Sequence, residues 1–441
     1  MQQLLTLFWK KLAVCPSKHL TYSTGPRGSR RLRQALAEYY TDEFSARELT
    51  VDNVFITCGL ASAIDALAWA TCNDGEGILV PLPLYNGFTV DILNRSNARV
   101  VGITYTDIEE YSGIDSIFLP DLNTRALEAA LCRANKEGIT LRALLISKLV
   151  NNKDNTHTLS VNSGSTVHII LWDDPPETLV EFASFCRRHN LHFISDEIYA
   201  KSVFQSTDLE HAPNFTSVLS LDLQEIIDAQ LVHVLYGASK DFCANGLRLG
   251  AVLTQNQGLI GAISSIGYNN SISLDRLFNL TNTETLICSI FSWPSHILQD
   301  IWACLLDDRR WMQEFMAAKL RFMEENYKTV TSFLFNRADP SSRRNAGLYI
   351  WVDLGYLFVS PAEEGNSRRV NAGKLAKYQS RETWIEQVCA KHGVLIAPGS
   401  VYMPEEYGWF RITFTVGKQA LQEGLKRFSM ALEEVEAVPW Q

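Results

Sequence analysis

The chain contains no Cys-x-x-Cys pair, no apolar run long enough to span a bilayer and no excess of positive charge. Each absence excludes a class. Structural zinc sites draw their ligands from closely spaced cysteine and histidine pairs, so no metal site is expected. A transmembrane helix needs about 18 or more consecutive apolar residues, so no membrane partner is expected either. The formal net charge is −9. A nucleic-acid binder needs a basic face to neutralise phosphates, and an anionic membrane surface attracts basic segments. Neither fits this balance. The nine cysteines are scattered, at 15, 58, 72, 132, 186, 243, 288, 304 and 389. An odd number of dispersed thiols in a long chain reads as reduced cysteine in a cytoplasmic protein.

What is present is ordinary globular composition: 441 residues, 46% hydrophobic and 20% charged. That length exceeds a single core and predicts two domains. Near the N-terminus, the apolar residues Leu4, Leu5, Leu7, Phe8 and Trp9 precede Lys10 and Lys11. A secretory signal has the opposite order. The first acidic residue is Glu38, and arginines stand at 27, 30, 31 and 33, which raises a mitochondrial presequence as an alternative.

Periodicity predicts helices over 29–40, 61–71 and 176–190. Short apolar strands are expected at 51–57, 77–80, 99–103, 143–147, 191–194 and 231–235. This alternation implies an α/β fold with a mostly parallel sheet covered by helices on both faces. Beyond Trp302 long helical patterns dominate, with strands expected at 347–352, 394–396 and 410–414. They suggest a smaller α+β domain.

Ligand sites in open α/β sheets lie at the carboxyl ends of strands. Asp196 follows one strand, with Tyr199 a helical step further. Ser239 and Lys240 follow another, and Arg248 lies beyond them. Arg411 sits inside the apolar segment Trp409-Phe410-Arg411-Ile412-Thr413-Phe414. Singly, each has an ordinary structural explanation: a cap, a solvated pair, a buried ion pair.

In this order the segments resemble those of the class I/II aminotransferases, the fold-type I enzymes that depend on pyridoxal phosphate (PLP). Ile194-Ser195-Asp196-Glu197-Ile198-Tyr199 resembles the aspartate segment of that family. Tyr236 to Lys240, continuing to Gly246-Leu247-Arg248-Leu249-Gly250, resembles the lysine segment. Gly408-Trp409-Phe410-Arg411 resembles the carboxylate-binding segment. Further matches are Thr57 to Ala63, Pro83 to Phe88 and Asn345-Ala346-Gly347-Leu348. The branch most similar is the 1-aminocyclopropane-1-carboxylate (ACC) synthase-like one, including its fungal members.

The resemblance implies a role for each residue. Lys240 would hold PLP as a Schiff base and carry the proton at the substrate α-carbon. Asp196 would keep the ring nitrogen protonated, because a nearby negative charge favours the cation. Tyr199 would bind the ring hydroxyl, and Tyr85 would stack on the ring. Gly59, Leu60 and Ala61 would offer backbone N–H groups to the phosphate, and Arg248 its guanidinium. Ser239 belongs to the same cofactor-binding set. Arg411 would clamp the substrate carboxylate. Tyr22 would reach the phosphate of a neighbouring subunit, which implies a homodimer. The family pattern at Gly28, Leu32 and Arg33 explains the basic N-terminus without a presequence. The expected organisation is residues 1–40 as the N-terminal part of a small domain, 41–300 as a large PLP-binding domain, and 301–441 as the rest of the small domain. The implied activity is transamination of an amino acid or amino-acid-like substrate. Carbon–sulfur cleavage or ACC-type elimination in secondary metabolism is the alternative, and a catalytically degenerate dimeric scaffold is the rival.

The pattern is broken in places. Relatives carry an Asn-Pro-x-Asn-Pro-x-Gly turn after the strand at 143–147, and its first Asn binds the ring oxygen. Here polar sequence without Asn-Pro runs from 148 to 172, and a second polar stretch runs from 268 to 288. Translated introns and genuine surface insertions both account for them. Gly237 replaces a frequent phosphate-binding Ser, Ala61 replaces a frequent Thr, and the N-terminal arm of relatives has no counterpart.

Overall fold

The computed structural model describes residues 16–21, 24–47, 49–111, 119–147, 175–204, 215–268, 293–335, 347–358, 375–403 and 406–438. Tyr22 and the stretches 148–172 and 269–288 lie outside them.

The principal sheet has seven strands: β1 (Val54–Thr57), β2 (Gly77–Pro81), β3 (Arg99–Ile103), β4 (Leu141–Ser147), β5 (His192–Asp196), β6 (Val232–Gly237) and β7 (Gly250–Thr254), in the order β1-β7-β6-β5-β4-β2-β3. Pairing is parallel except at β7, which runs antiparallel to both β1 and β6. The expected mostly parallel sheet is therefore present, with one reversed strand. Register places Ser147 at the end of β4 beside Asp196 at the end of β5.

Helices α1 (Arg30–Phe44), α2 (Leu60–Thr71), α3 (Gly87–Ser96), α4 (Pro120–Lys136), α5 (Pro176–His189), α6 (Gln257–Tyr268) and α7 (His296–Asp307) accompany the sheet. Their ends follow local chemistry. Ser29 accepts the Leu32 amide to start α1, and α5 opens on prolines, whose missing N–H is harmless there. The second unit is a small antiparallel sheet, β8 (Tyr349–Asp353), β10 (Trp409–Thr413) and β9 (Ala397–Pro398), packed with α9 (Leu375–Lys391) and α10 (Lys418–Glu436). The strand expected at 394–396 starts later. The Val394 amide is still occupied by the Cys389 carbonyl at the end of α9.

Helix α8 (Arg309–Phe335) joins the two units. Met312, Phe315 and Met316 pack into the core of the large sheet, and Met323, Tyr327 and Val330 into that of the small one. Residues of α1 and α7 also belong to the large core. The cores therefore do not divide at 40 and 300, and we propose that the boundary lies within α8. Among the described residues, no helix is long and apolar enough to cross a membrane, and no cluster of residues could hold a metal ion.

Candidate active site

A cavity of about 520 Å³ opens at the carboxyl ends of β4, β5 and β6, and its far wall comes from β8, β10 and the 399–402 turn. Of the residues expected from sequence, Leu60, Ala61, Tyr85, Asp196, Tyr199, Ser239, Lys240, Arg248 and Arg411 all line it. Gly59 lies directly beneath the Arg248 guanidinium.

The first cationic corner is built from α2 and Arg248. Helix α2 starts at Gly59 with no side chain capping it, so its first amides stay open to an anion. Gly59 has φ +91, and a Cβ there would stand 2.6 Å from Arg248 Nη2. Only glycine permits both the turn and the close approach. Among the described residues no carboxylate pairs with Arg248; its Nη1 donates to the Asn245 carbonyl at 3.1 Å. Gly237 has a local reason. A Cβ there would fall 2.6 Å from Leu60 Cδ1. The Leu249 carbonyl oxygen, at 3.0 Å, and Ile198 Cδ1, at 3.2 Å, crowd the same spot.

The second corner is Arg411, from the middle of β10. Its guanidinium lies over the rings of Tyr349 at 4.1 Å and Tyr402 at 4.7 Å. Stacking between aromatic faces orients a guanidinium while leaving its in-plane donors available. No carboxylate among the described residues pairs with it. Tyr402 is held in turn: its carbonyl accepts the Leu84 amide at 2.9 Å, and the buried Glu382 accepts the Ser400 amide at 3.1 Å.

Between the corners lie Lys240 and Asp196. Lys240 donates to the Tyr349 hydroxyl at 3.3 Å. Asp196 is buried, and its carboxyl accepts the Ile198 amide at 3.1 Å. Burial pushes its pKa up to about 7, against the pull of that bond, Lys240 and a bond from Ser147. Among the described residues it has no ion-pair partner. A buried carboxyl in this state gains most from a cation brought to it. An uncapped helix end beside a guanidinium that pairs with no carboxylate among the described residues suits a phosphate, and a lysine amine suits an aldehyde. The donor set thus fits PLP on structural grounds.

The segment carrying Lys240 is fixed from below. The adjacent Asp241 is fully buried and accepts from Lys201 N at 2.8 Å, Ser202 Oγ at 2.7 Å, Tyr236 OH at 3.0 Å and Lys319 Nζ at 3.3 Å. Lys319 belongs to α8, so the bridging helix is bonded to the residue next to Lys240.

Tyr349, Tyr402 and Ser147 were not singled out from sequence. Tyr349 follows the quoted Gly347-Leu348 match directly, which was the available signal. Tyr402 had none, because a tyrosine in an apolar stretch reads as core. Arg33 proves structural: it donates to the Val51 carbonyl at 2.9 Å and to the Gly28 carbonyl at 3.3 Å.

Comparison with known proteins agrees with this architecture. The family model "Aminotransferase class I and II" matches residues 16–146 and 173–428. It leaves out 147–172, close to the first patternless stretch, and continues through the second. The "Probable aminotransferase sirI" of Leptosphaeria maculans is 27% identical over 95% of this chain and 84% of its own length. The "Probable aminotransferase gliI" of Aspergillus fumigatus is 28% identical over 98% and 85%. The human "Probable inactive 1-aminocyclopropane-1-carboxylate synthase-like protein 2" is also 28% identical, over 92% of this chain but only 61% of its own length. Among solved structures, Thermus thermophilus aspartate aminotransferase with maleate superposes with a TM-score of 0.67 at 17% identity, over 97% of this chain and 88% of its own. The aromatic aminotransferase of Pyrococcus horikoshii gives 0.64 at 19%, over 99% and 92%. Across the matched span, on both sides of the gap, the chain belongs to the class I and II aminotransferases, a family that works with pyridoxal phosphate.

Proposed function

We propose that the chain is a transaminase acting on an amino acid or amino-acid-like substrate, with Lys240 as the residue that holds the cofactor. The observation carrying this reading is the cavity that brings together one lysine amine, one buried carboxyl and two guanidiniums, none of the last three with an ion-pair partner among the described residues. PLP, when bound, supplies an aldehyde for the amine and a ring that withdraws electrons from the substrate α-carbon. The chain's own residues do the rest. Arg248 and the amides of Leu60 and Ala61 bind the phosphate. Asp196 holds a proton at the ring nitrogen as an ion pair, which relieves its raised pKa. Tyr85, Tyr199 and Ser239 orient the ring. Arg411, aimed by two tyrosine rings, takes the substrate carboxylate through its in-plane donors. Lys240 moves the proton at the α-carbon.

The same residues serve elimination chemistry, so product analysis must separate the reactions. A keto acid indicates transamination; ammonia with a released thiol indicates carbon–sulfur cleavage. A cyclopropane amino acid indicates ACC formation. In keeping with the family pattern at Tyr22, the working form is a homodimer, in the cytoplasm. The deciding test is borohydride reduction of the PLP-loaded protein, followed by peptide mapping. Cofactor trapped on the Lys240 peptide is expected. Its absence would refute the reading and leave a scaffold that has kept the fold.

A further inference from the structure

Strand β8 alternates as a half-buried strand does: Ile350 and Val352 enter the small core, while Tyr349 and Trp351 face the cavity. The Tyr349 oxygen accepts a hydrogen bond from Lys240 Nζ at 3.3 Å. Tyr199 lies beside the same lysine, whose Nζ is 5.8 Å from the centre of each tyrosine ring. The two phenols differ. Burial holds the Tyr199 proton well above the ordinary tyrosine range. Burial would raise Tyr349 as well, but the positive charges of Lys240 and Arg411 oppose it and Tyr349 falls below that range. The donor aimed at the Tyr349 oxygen is thus Lys240 Nζ.

We propose that Tyr349 is the proton partner of Lys240 and a further catalytic residue of this site. This rests on the reading of Lys240 as the cofactor-holding lysine. The step is a proton shift within the pair. An N–H bond of the Lys240 ammonium breaks as an O–H bond forms on Tyr349, so ammonium and phenolate become amine and phenol. No other reactant is needed. The Tyr349 oxygen already accepts from Nζ at 3.3 Å, so the proton would move along an existing hydrogen bond. The groups facing the Tyr349 phenol are Lys240 beyond β6, Tyr199 beyond β5 and Arg411 on β10, with Tyr85 and Tyr402 coupled more weakly. Arg411 is stacked on the Tyr349 ring at 4.1 Å while the ring's oxygen accepts from Nζ.

The test uses the full-length protein freed of cofactor and follows tyrosinate absorbance against pH. One tyrosine of the 15 is expected to ionise before the rest. Tyr349→Phe should delete that step. Lys240→Met should delay it by on the order of one pH unit, because the neighbouring positive charge is gone. An early step that survives Tyr349→Phe, or that Lys240→Met leaves in place, would overturn the proposal. Borohydride trapping reads the other claim separately. A trapped Lys240 peptide with an unaltered tyrosine titration overturns the proton pair and leaves the transaminase reading standing. An early Tyr349 step without trapping supports the pair and removes that reading.

Discussion

Asp196 and Asp241 are both buried aspartates near Lys240, one at the end of β5 and one just past β6, yet they are built to opposite ends. Asp241 has a lysine, a tyrosine, a serine and a backbone amide around its carboxylate. Asp196 has no ion-pair partner among the described residues, and its pKa rises to about 7. A buried charge is tolerated when paired and bonded, and is costly when it is not. Asp241 is therefore complete in the folded chain, whereas Asp196 is left short of one cation. That contrast separates a residue satisfied by the fold from one that, on the proposed function, awaits a ligand, and stability measurements can test it.

Four changes probe the contrast. The largest effect belongs to Lys319→Met, which strands Asp241 without its cation. Chemical denaturation should show a loss of about 3–5 kcal/mol, and the double variant with Asp241→Asn should recover much of it. Next is pH. The Asp196 carboxyl, raised in the folded state from 3.8 to about 7, contributes stability below pH 3.8 that is lost as pH rises through 7. The cofactor-free protein should weaken by up to about 4 kcal/mol across that window. Asp196→Asn should flatten the profile, and an unchanged slope would mean that Asp196 is satisfied after all. Third, Asp196→Asn should weaken PLP binding, measured by equilibrium titration, by about 10–100-fold, the worth of a charge-assisted bond. The smallest effect concerns the cup. Gly237→Ser, which restores the residue frequent in relatives, should cost about 1–3 kcal/mol by overpacking against Leu60. Adding Leu60→Ala should remove the part of that cost owed to Leu60 and leave the part set by the Leu249 carbonyl.

Much of the large unit was legible because strand ends and chemistry coincide. Asp196, Lys240 and Arg248 stand in short segments where apolar runs stop, and parallel sheets collect such stops along one edge. The reversal at β7 was not legible. Gly250 to Thr254 is a brief apolar run that nothing marks as antiparallel, and only its pairing with both β1 and β6 reveals it. The aromatic setting of Arg411 was hidden for another reason. Tyr349 and Tyr402 lie far apart in sequence and become its neighbours only when the small sheet folds. An arginine inside an apolar segment stood out in the sequence, but the rings that flank it did not. The meaning of Gly237 was similarly out of reach, since a Cβ there meets Leu60, the Leu249 carbonyl and Ile198, which only folding brings together.

Helix α8 enters both cores and carries Lys319 into the Asp241 network. Melting either core would therefore unravel one half of a helix whose other half is still packed, and would expose a charge held in the first. Helical order propagates cheaply along a chain but is costly to interrupt. Heated in a calorimeter, the two units should accordingly share one endotherm instead of showing two, and a helix-breaking glycine placed between Met316 and Met323 should split it.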